Sequence, residues 1–379
     1  MRQPQLYTEK NAKRLRIRYE SKARRCAALA PTLIRTLCQL VTCSLPTSLL
    51  YSSPMKKRVL SGIQPSGKLH IGNYLGAIKQ HLAAQEMEGW SRFYFIANYH
   101  AMTTSPDRDD LREKSLDVAR TYLTLGLDPE KATLFLQSDV PEVCELAWVL
   151  SCLAPMGMLQ RATSYKDKVA RGLTANHGLF AYPVLQAADI IVYDSHLVPV
   201  GADQKQHLEM SRDLAIKFNQ TYGEDILVVP EPWIKEEVAV VPGIDGQKMS
   251  KSYKNTIDLF GTKKQLKKQV MAIVTDSKSL EDVKDPDTCN VVTLYKLFAD
   301  KQEVAEMEAN YRAGNYGYGH AKKALLEKLE TFLEPHRDQY QYYLAHEDEV
   351  IDVLRAGGRT ARAKAQEVMA RVRDVVGLI

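Results

Sequence analysis

Cysteine pairs at Cys-x-x-Cys spacing are missing from this 379-residue chain. Its six cysteines stand apart at 26, 38, 43, 144, 152 and 289, and no His/Cys cluster has metal-ligand spacing. That excludes a zinc ribbon and a disulfide framework, and points to free thiols in a reducing compartment. Long apolar runs are also absent: the best stretch, Cys26 to Leu50, is broken by Arg35 and two prolines, so no transmembrane helix is expected. No internal repeat or low-complexity tract stands out. Acids are scarce at the start, where two (Glu9, Glu20) face ten lysines and arginines before Met55.

That imbalance governs how the net charge is read. The first 54 residues carry +8 of a total of +5, which leaves −3 for the rest. An acidic body with a basic tail is not a surface built throughout for nucleic acid, and any polynucleotide must meet a local basic patch. Three readings of residues 1–54 stay open: a segment outside the working protein, with "MKKRVLSG" at Met55 as the start; an Arg-rich organellar transit peptide; or a nucleic-acid-binding arm. With 45% hydrophobic and 26% charged residues the body is ordinary globular protein, long enough for two domains.

Short apolar runs at Arg58 to Ser61, Phe93 to Ala97, Thr133 to Gln137 and Leu197 to Val200 read as buried parallel strands. Segments of helical period separate them, such as Asp109 to Leu125 after the capping candidate Ser105. The rhythm predicts an α/β fold with a doubly wound parallel sheet, ligands lying outside the carboxyl ends of its strands. From about Gly261 the texture turns to Ala, Leu, Lys and Glu, and Ala321, Leu325, Leu329 and Phe332 share one helical face. This predicts an α-helical C-terminal domain punctuated by turns at "NYGYGH" and "AGGRT". The boundaries are then 1–54 for the extension, 55–258 for the catalytic domain and 259–379 for the helical domain.

Two stretches carry chemistry. "SGIQPSGKLHIGNY", Ser61 to Tyr74, follows the first strand and enters a helix near Ile71. Gly67 and Gly72 within it and Gly76 just beyond it let a phosphate chain approach backbone, the helix points amides at the same place, and His70 and Asn73 add donors. The glycine spacing matches neither the dinucleotide fingerprint nor the P-loop. "GQKMSKSYKNTI", Gly246 to Ile257, sets Lys248 and Lys251 either side of Met249-Ser250 as a cationic clamp for a polyphosphate.

His70 to Asn73 resembles the "HIGH" signature of class I aminoacyl-tRNA synthetases, with Asn in the last place, and Lys248 to Ser252 reads "KMSKS" without a departure. With "YPVLQAADI", "VGADQKQHLEMSRDLA" and "VTDS", the chain from Met55 onward is similar to the tryptophanyl-tRNA synthetases. The resemblance implies a Rossmann-like catalytic domain that joins L-tryptophan to the α-phosphate of ATP and passes it to tRNA(Trp). It also implies a homodimer, a helical domain that reads the anticodon, and no membrane association. The family's bacterial members imply a cytoplasmic location, and a transit peptide would move it to an organellar matrix.

Such chemistry needs alignment and charge neutralisation rather than a general base, because the substrate carboxylate is the nucleophile. By resemblance, His70, Asn73, Lys248 and Lys251 are the catalytic set. Gln64, Pro65, Ser66, Gly72 and Asn73 bind ATP from one side; Gly201, Ala202, Asp203 and Val240 from the other; Lys248, Met249, Ser250, Lys251 and Ser252 close over it. Lys166 and Lys168 are further phosphate candidates. Mg²⁺ accompanies ATP, held by phosphate oxygens and water rather than by a protein cage. For tryptophan the candidates are Tyr182, Gln186, Asp189 and His100. Asp189 is the expected acceptor for the indole N–H, and Gln186 stands where many bacterial members carry Met. The basic residues of "GGRTARAKAQEVMARVR" suit either RNA backbone contacts or an ordinary helix surface. Tyrosyl-tRNA synthetase and a non-catalytic tRNA-binding paralogue are the alternatives; "GIQPSG" and "AADI" favour tryptophan, and both phosphate motifs are intact.

Overall fold

A computed structural model describes residues 57–378 apart from 104–106, 163–164, 167–169, 171, 173–175, 200, 202–203, 224 and 234–240. The residue 1–54 extension, Ser105, Lys168, Ala202, Asp203 and Val240 therefore lie outside the described residues. Five parallel strands, β1 (Lys57–Ile63), β2 (Trp90–Ile96), β3 (Thr133–Leu136), β4 (Leu197–Pro199) and β5 (Glu231–Trp233), form one sheet in the order β3-β2-β1-β4-β5. The four expected strands are all present. β5 adds a fifth, whose "EPW" gives no apolar run to read. The chain moves outward from β1 in both directions, so the topological switch point lies between β1 and β4.

Both faces are covered, as a parallel sheet requires. Alternation along the strands divides the side chains: Tyr94, Ile96 and Leu134 join one buried cluster, Phe93, Phe95 and Phe135 the other. After β1 come α1 (Ile71–Asn73), a π-helical stretch (Tyr74–Ile78) and α2 (Lys79–Ala84). After β2 come α3 (Asn98–Ala101) and α4 (Arg108–Thr124). Asp107 caps α4, accepting from the Asp110 N–H at 2.8 Å. Then follow α5 (Glu142–Ser151), α6 (Met156–Gln160), α7 (His177–Ile191) and α8 (Lys205–Tyr222).

From Lys263 onward the regular elements are helices, α9 (Lys263–Met271), α10 (Asn290–Tyr295), α11 (Lys301–Ala313), α12 (Tyr318–Ala345) and α13 (Glu347–Val376), with residues 273–289 a long non-helical connection. Ala321, Leu325 and Leu329 form the buried stripe of α12, which runs on through Leu333 rather than through the half-buried Phe332. "AGGRT" is not a turn. It lies inside α13, where a Cβ on Gly357 would stand 2.0 Å from the Leu134 carbonyl oxygen and one on Gly358 2.8 Å from the Asp139 Cβ. The paired glycines let the helix press directly on the β3 backbone. The described residues belong to one compact unit.

Candidate active site

At the carboxyl end of β1 the backbone turns sharply, with the Ser66 N–H donating to the Gln64 carbonyl at 2.9 Å. Gly67 takes φ +114°, which an L side chain rarely adopts. Gly72 has a different reason: a Cβ there would sit 3.0 Å from the His70 ring and 3.4 Å from the Met249 Cβ. Gly76 has neither, since nothing lies within 4 Å of the Cβ it lacks. His70 precedes the helix and is buried, and its N–H donates to Asn73 Oδ1 at 3.1 Å. Burial and then the nearby Lys251 pull its pKa down to about 4, so the imidazole is neutral near pH 7. Its buried Nδ1 has no hydrogen-bond partner among the described residues.

The second motif is built onto the first. Ile71 N–H donates to the Ile257 carbonyl at 2.9 Å and Leu259 N–H to the Leu69 carbonyl at 3.2 Å, with His70 and Asp258 forming an antiparallel bridge. Within the loop, Met249 N–H donates to the Val241 carbonyl at 2.9 Å and Ser250 N–H to Asn255 Oδ1 at 2.8 Å. Asn255 Nδ2 donates to Asp245 Oδ1 at 2.7 Å and to the Lys248 carbonyl at 3.2 Å. Asn255 is thus the buried hub of the clamp. It was legible only as one residue of a polar string.

Lys251 reaches across the gap and donates to the Gly67 carbonyl at 2.6 Å and to Ser66 Oγ at 3.4 Å. Burial lowers its pKa to about 8, with Asp117 the leading opposing influence. Lys248 and Ser252 are exposed and Ser250 is half-buried, whereas the Met249 side chain is packed in the core. Met249 therefore anchors the loop. Lys166 is exposed, and Gly201, also exposed, accepts from the Gln204 N–H at 3.0 Å.

Between β1 and β4 a cavity of about 390 Å³ opens at the switch point. Its apolar walls come from Leu60, Gly62, Phe95, Ala97, Ile190 and Val198, and its polar groups from Ser61, Gln64, His100, Tyr182, Gln186 and Gln204. Gly62 is bare because the Phe95 ring occupies the space of its Cβ, 2.4 Å away. Neither residue was singled out from the sequence, since their proximity depends on the β1–β2 register, in which Gly62 pairs with Phe95.

Three of the four tryptophan candidates line this cavity and the fourth, Asp189, stands behind it. Asp189 is 1% exposed, and its carboxylate accepts from His100 Nε2 at 2.8 Å and from Gln137 Nε2 at 2.8 Å. Burial raises its pKa, and the His100 and Gln137 hydrogen bonds oppose the rise. Gln137 is wholly buried and also accepts from the Tyr99 N–H at 2.9 Å. Tyr182 OH pairs with His207 Nε2 at 2.8 Å and its ring meets His100 edge-on at 5.9 Å. Gln186 donates to Gln204 Oε1 at 3.4 Å.

Comparison with known proteins identifies the family. The family model described as tRNA synthetases class I (W and Y) matches residues 54–334. The tryptophan–tRNA ligase of Fusobacterium nucleatum is 51% identical over 323 residues, covering 85% of this chain and 98% of that protein. That of Campylobacter jejuni is 52% identical over 321 residues, covering 85% and 100%. The chain belongs to the tryptophanyl-tRNA synthetases. The crystal structure of the tryptophanyl-tRNA synthetase from C. jejuni, complexed with ADP and tryptophan, superposes with a TM-score of 0.80 at 52% identity, covering 84% of this chain and 99% of that one. Membership selects tryptophan over tyrosine, which the two phosphate motifs alone leave open.

Proposed function

We propose that the cleft at the carboxyl ends of β1 and β4 performs the activation step of this tryptophan–tRNA ligase with the residues described above. The observation that carries this assignment is the Lys251 ammonium 2.6 Å from the Gly67 carbonyl, a cation already stretched across the site. The tryptophan carboxylate oxygen attacks the α-phosphorus of ATP, the bond to the bridging oxygen breaks, and pyrophosphate leaves. Lys251 and Lys248 neutralise the charge that gathers on the leaving phosphates. His70, neutral at working pH, offers hydrogen bonds rather than charge, and the Gln64 to Gly67 turn offers backbone.

The indole lies in the slot between the Gly62 backbone, Phe95 and Ile190. Its N–H faces the His100–Asp189 pair, where Asp189 orients the imidazole or accepts from the indole directly. Among the described residues no group of three His, Cys, Asp or Glu side chains is placed to hold a metal ion. Mg²⁺ would come on the oxygens of ATP, adding positive charge to that of the lysines. In the second step the 3′-terminal ribose hydroxyl of tRNA attacks the adenylate carbonyl and AMP departs. The helical region after residue 259 serves anticodon recognition. Exposed Trp148 and Met156, on the successive helices α5 and α6, support a homodimer. A cytoplasmic location follows the bacterial relatives, and an organellar matrix would follow if residues 1–54 direct import. ATP–pyrophosphate exchange tests the assignment: exchange with tryptophan alone among the amino acids is the expected result, and none with any amino acid would overturn it.

A further inference from the structure

Most cations of the helical region are already spoken for. On α13, Arg362 donates to Glu142 at 2.9 Å, Lys364 pairs with Asp194 at 2.6 Å, Arg371 donates to Asp194 at 2.7 Å, and Arg373 donates to Glu145 at 2.7 Å. The basic run that suited either RNA or an ordinary helix surface is chiefly a fastening of α13 to the body, with Arg359 left exposed. Elsewhere Lys284 is buried among three backbone carbonyls, Lys296 and Arg312 share Glu308 and Asp287, and Lys328 pairs with Glu303.

Lys301, Lys323 and Arg359 stand singly without an ion pair among the described residues, and helix α9 gathers such cations together. Its sequence, "KKQLKKQVM", has no acid. Leu266 and Val270 are buried on one side, while Lys264, Lys267 and Lys268 are exposed and take no ion-pair partner among the described residues. At spacings of three and four these ammonium groups share a face, about 5–6 Å apart at Cβ. Local electrostatics oppose the arrangement. Lys263 and Lys264 occupy the first turn, where the helix dipole disfavours cations. Lys263–Lys267 and Lys264–Lys268 are like-charge pairs at i,i+4, each destabilising by roughly 0.2–0.5 kcal/mol. Lys263 is relieved by Glu334 at 3.1 Å and Lys268 by its place in the last turn, where the dipole favours a cation, whereas Lys264 and Lys267 have neither. A helix that keeps like charges together on its exposed face, with no acid of its own, marks a surface kept for a ligand. In a body of net negative charge, that ligand is a polyanion.

The position of α9 says which. Gln269 on α9 donates to Asp258 Oδ2 at 3.1 Å and accepts from the Asp258 N–H at 3.2 Å, and Asp258 bridges to His70. The lysine face is therefore tied through one residue to the phosphate turn of the active site. We infer that Lys264, Lys267 and Lys268 form a docking surface for the sugar–phosphate backbone of tRNA as its 3′ end enters the cleft. This rests on the ligase reading, and the two are tested separately. The surface grips phosphates, so it positions the RNA and reads no base.

In the full-length protein, Lys264→Gln/Lys267→Gln/Lys268→Gln should leave tryptophan-dependent ATP–pyrophosphate exchange unchanged, because that step needs no RNA. The KM for tRNA in aminoacylation should rise roughly tenfold or more, and the slope of log affinity against log salt should shrink by about two to three, near 0.7–0.9 for each phosphate no longer neutralised. A control variant, Lys301→Gln/Arg359→Gln, should change neither. An unchanged salt slope in the triple variant, or an equal loss in the control, would overturn the inference. So would lost exchange with intact tRNA binding, since the face would then serve the fold. Absence of exchange in the unmodified protein would instead strike the ligase reading.

Discussion

Replacing Lys251 by alanine separates binding from chemistry in this site. The ammonium spans the cleft to Gly67 but is not part of the tryptophan cavity wall. Removing a charged donor from a phosphate oxygen costs about 1.5–3 kcal/mol, so kcat for exchange should fall roughly 10- to 150-fold. The KM for tryptophan should move by less than about threefold, because every group facing tryptophan is still in place. The pH profile adds an independent reading. With its pKa lowered to about 8, Lys251 in the free enzyme loses its charge as pH climbs through that value. kcat/KM for ATP, which reports the free enzyme, should decline above about pH 8. Bound phosphates favour the charged form, so the decline in kcat should begin at higher pH. Stability moves the other way. The folded pKa lies below the ordinary 10.5, so between those values the unfolded chain binds more proton, and this lysine makes the fold more stable as pH rises. Titration of Lys251 therefore does not lower activity in that window by unfolding the protein. Parallel loss of tryptophan affinity and kcat in Lys251→Ala, or a flat kcat/KM for ATP up to about pH 9.5, would refute the reasoning.

Gly357→Ala tests the close approach of helix to strand by its sign. An exposed helical site gains about 1 kcal/mol from this change, but here the new methyl meets the Leu134 backbone, and urea denaturation should show a net loss of about 1–3 kcal/mol; a gain would show that the helix has room to spare there. Gly62→Ala should push the Phe95 ring into the cavity and raise the KM for tryptophan about 10-fold or more, with the KM for ATP little changed; an unaltered tryptophan KM would show that the ring does not border the indole. Gln137→Leu leaves the Tyr99 N–H without its acceptor and Asp189 without one donor, so a loss of about 2–4 kcal/mol by denaturant titration is expected; a neutral outcome would mean that neither group needs Gln137.

What was legible in the sequence was local. The four strands declared themselves as apolar runs, and the two phosphate motifs by their residue types at short spacing. What was not legible depends on pairing across the sheet or on distant packing. "AGGRT" has the composition of a turn, and only the nearness of β3 to α13 explains two adjacent glycines inside a helix. Asp189 stood out as a candidate carboxylate, but its place behind His100, held by Gln137 52 residues earlier in the chain, was not readable. Phe95 looked like one more core residue of β2. Its register opposite Gly62 makes it a wall of the cavity.

The anchoring of the "KMSKS" loop bears on how fast the site works. Met249 is held through Val241 and Ser250 through Asn255, and His70 is bridged to Asp258. Between those fastenings residues 251–253 form one short helical turn, from which the Lys251 side chain reaches the Gly67 carbonyl. Rotamer changes of side chains are faster than collective loop and domain rearrangements, which take microseconds to milliseconds. A change confined to the Lys251 side chain therefore runs on the faster of these clocks, with the fastenings of the loop kept.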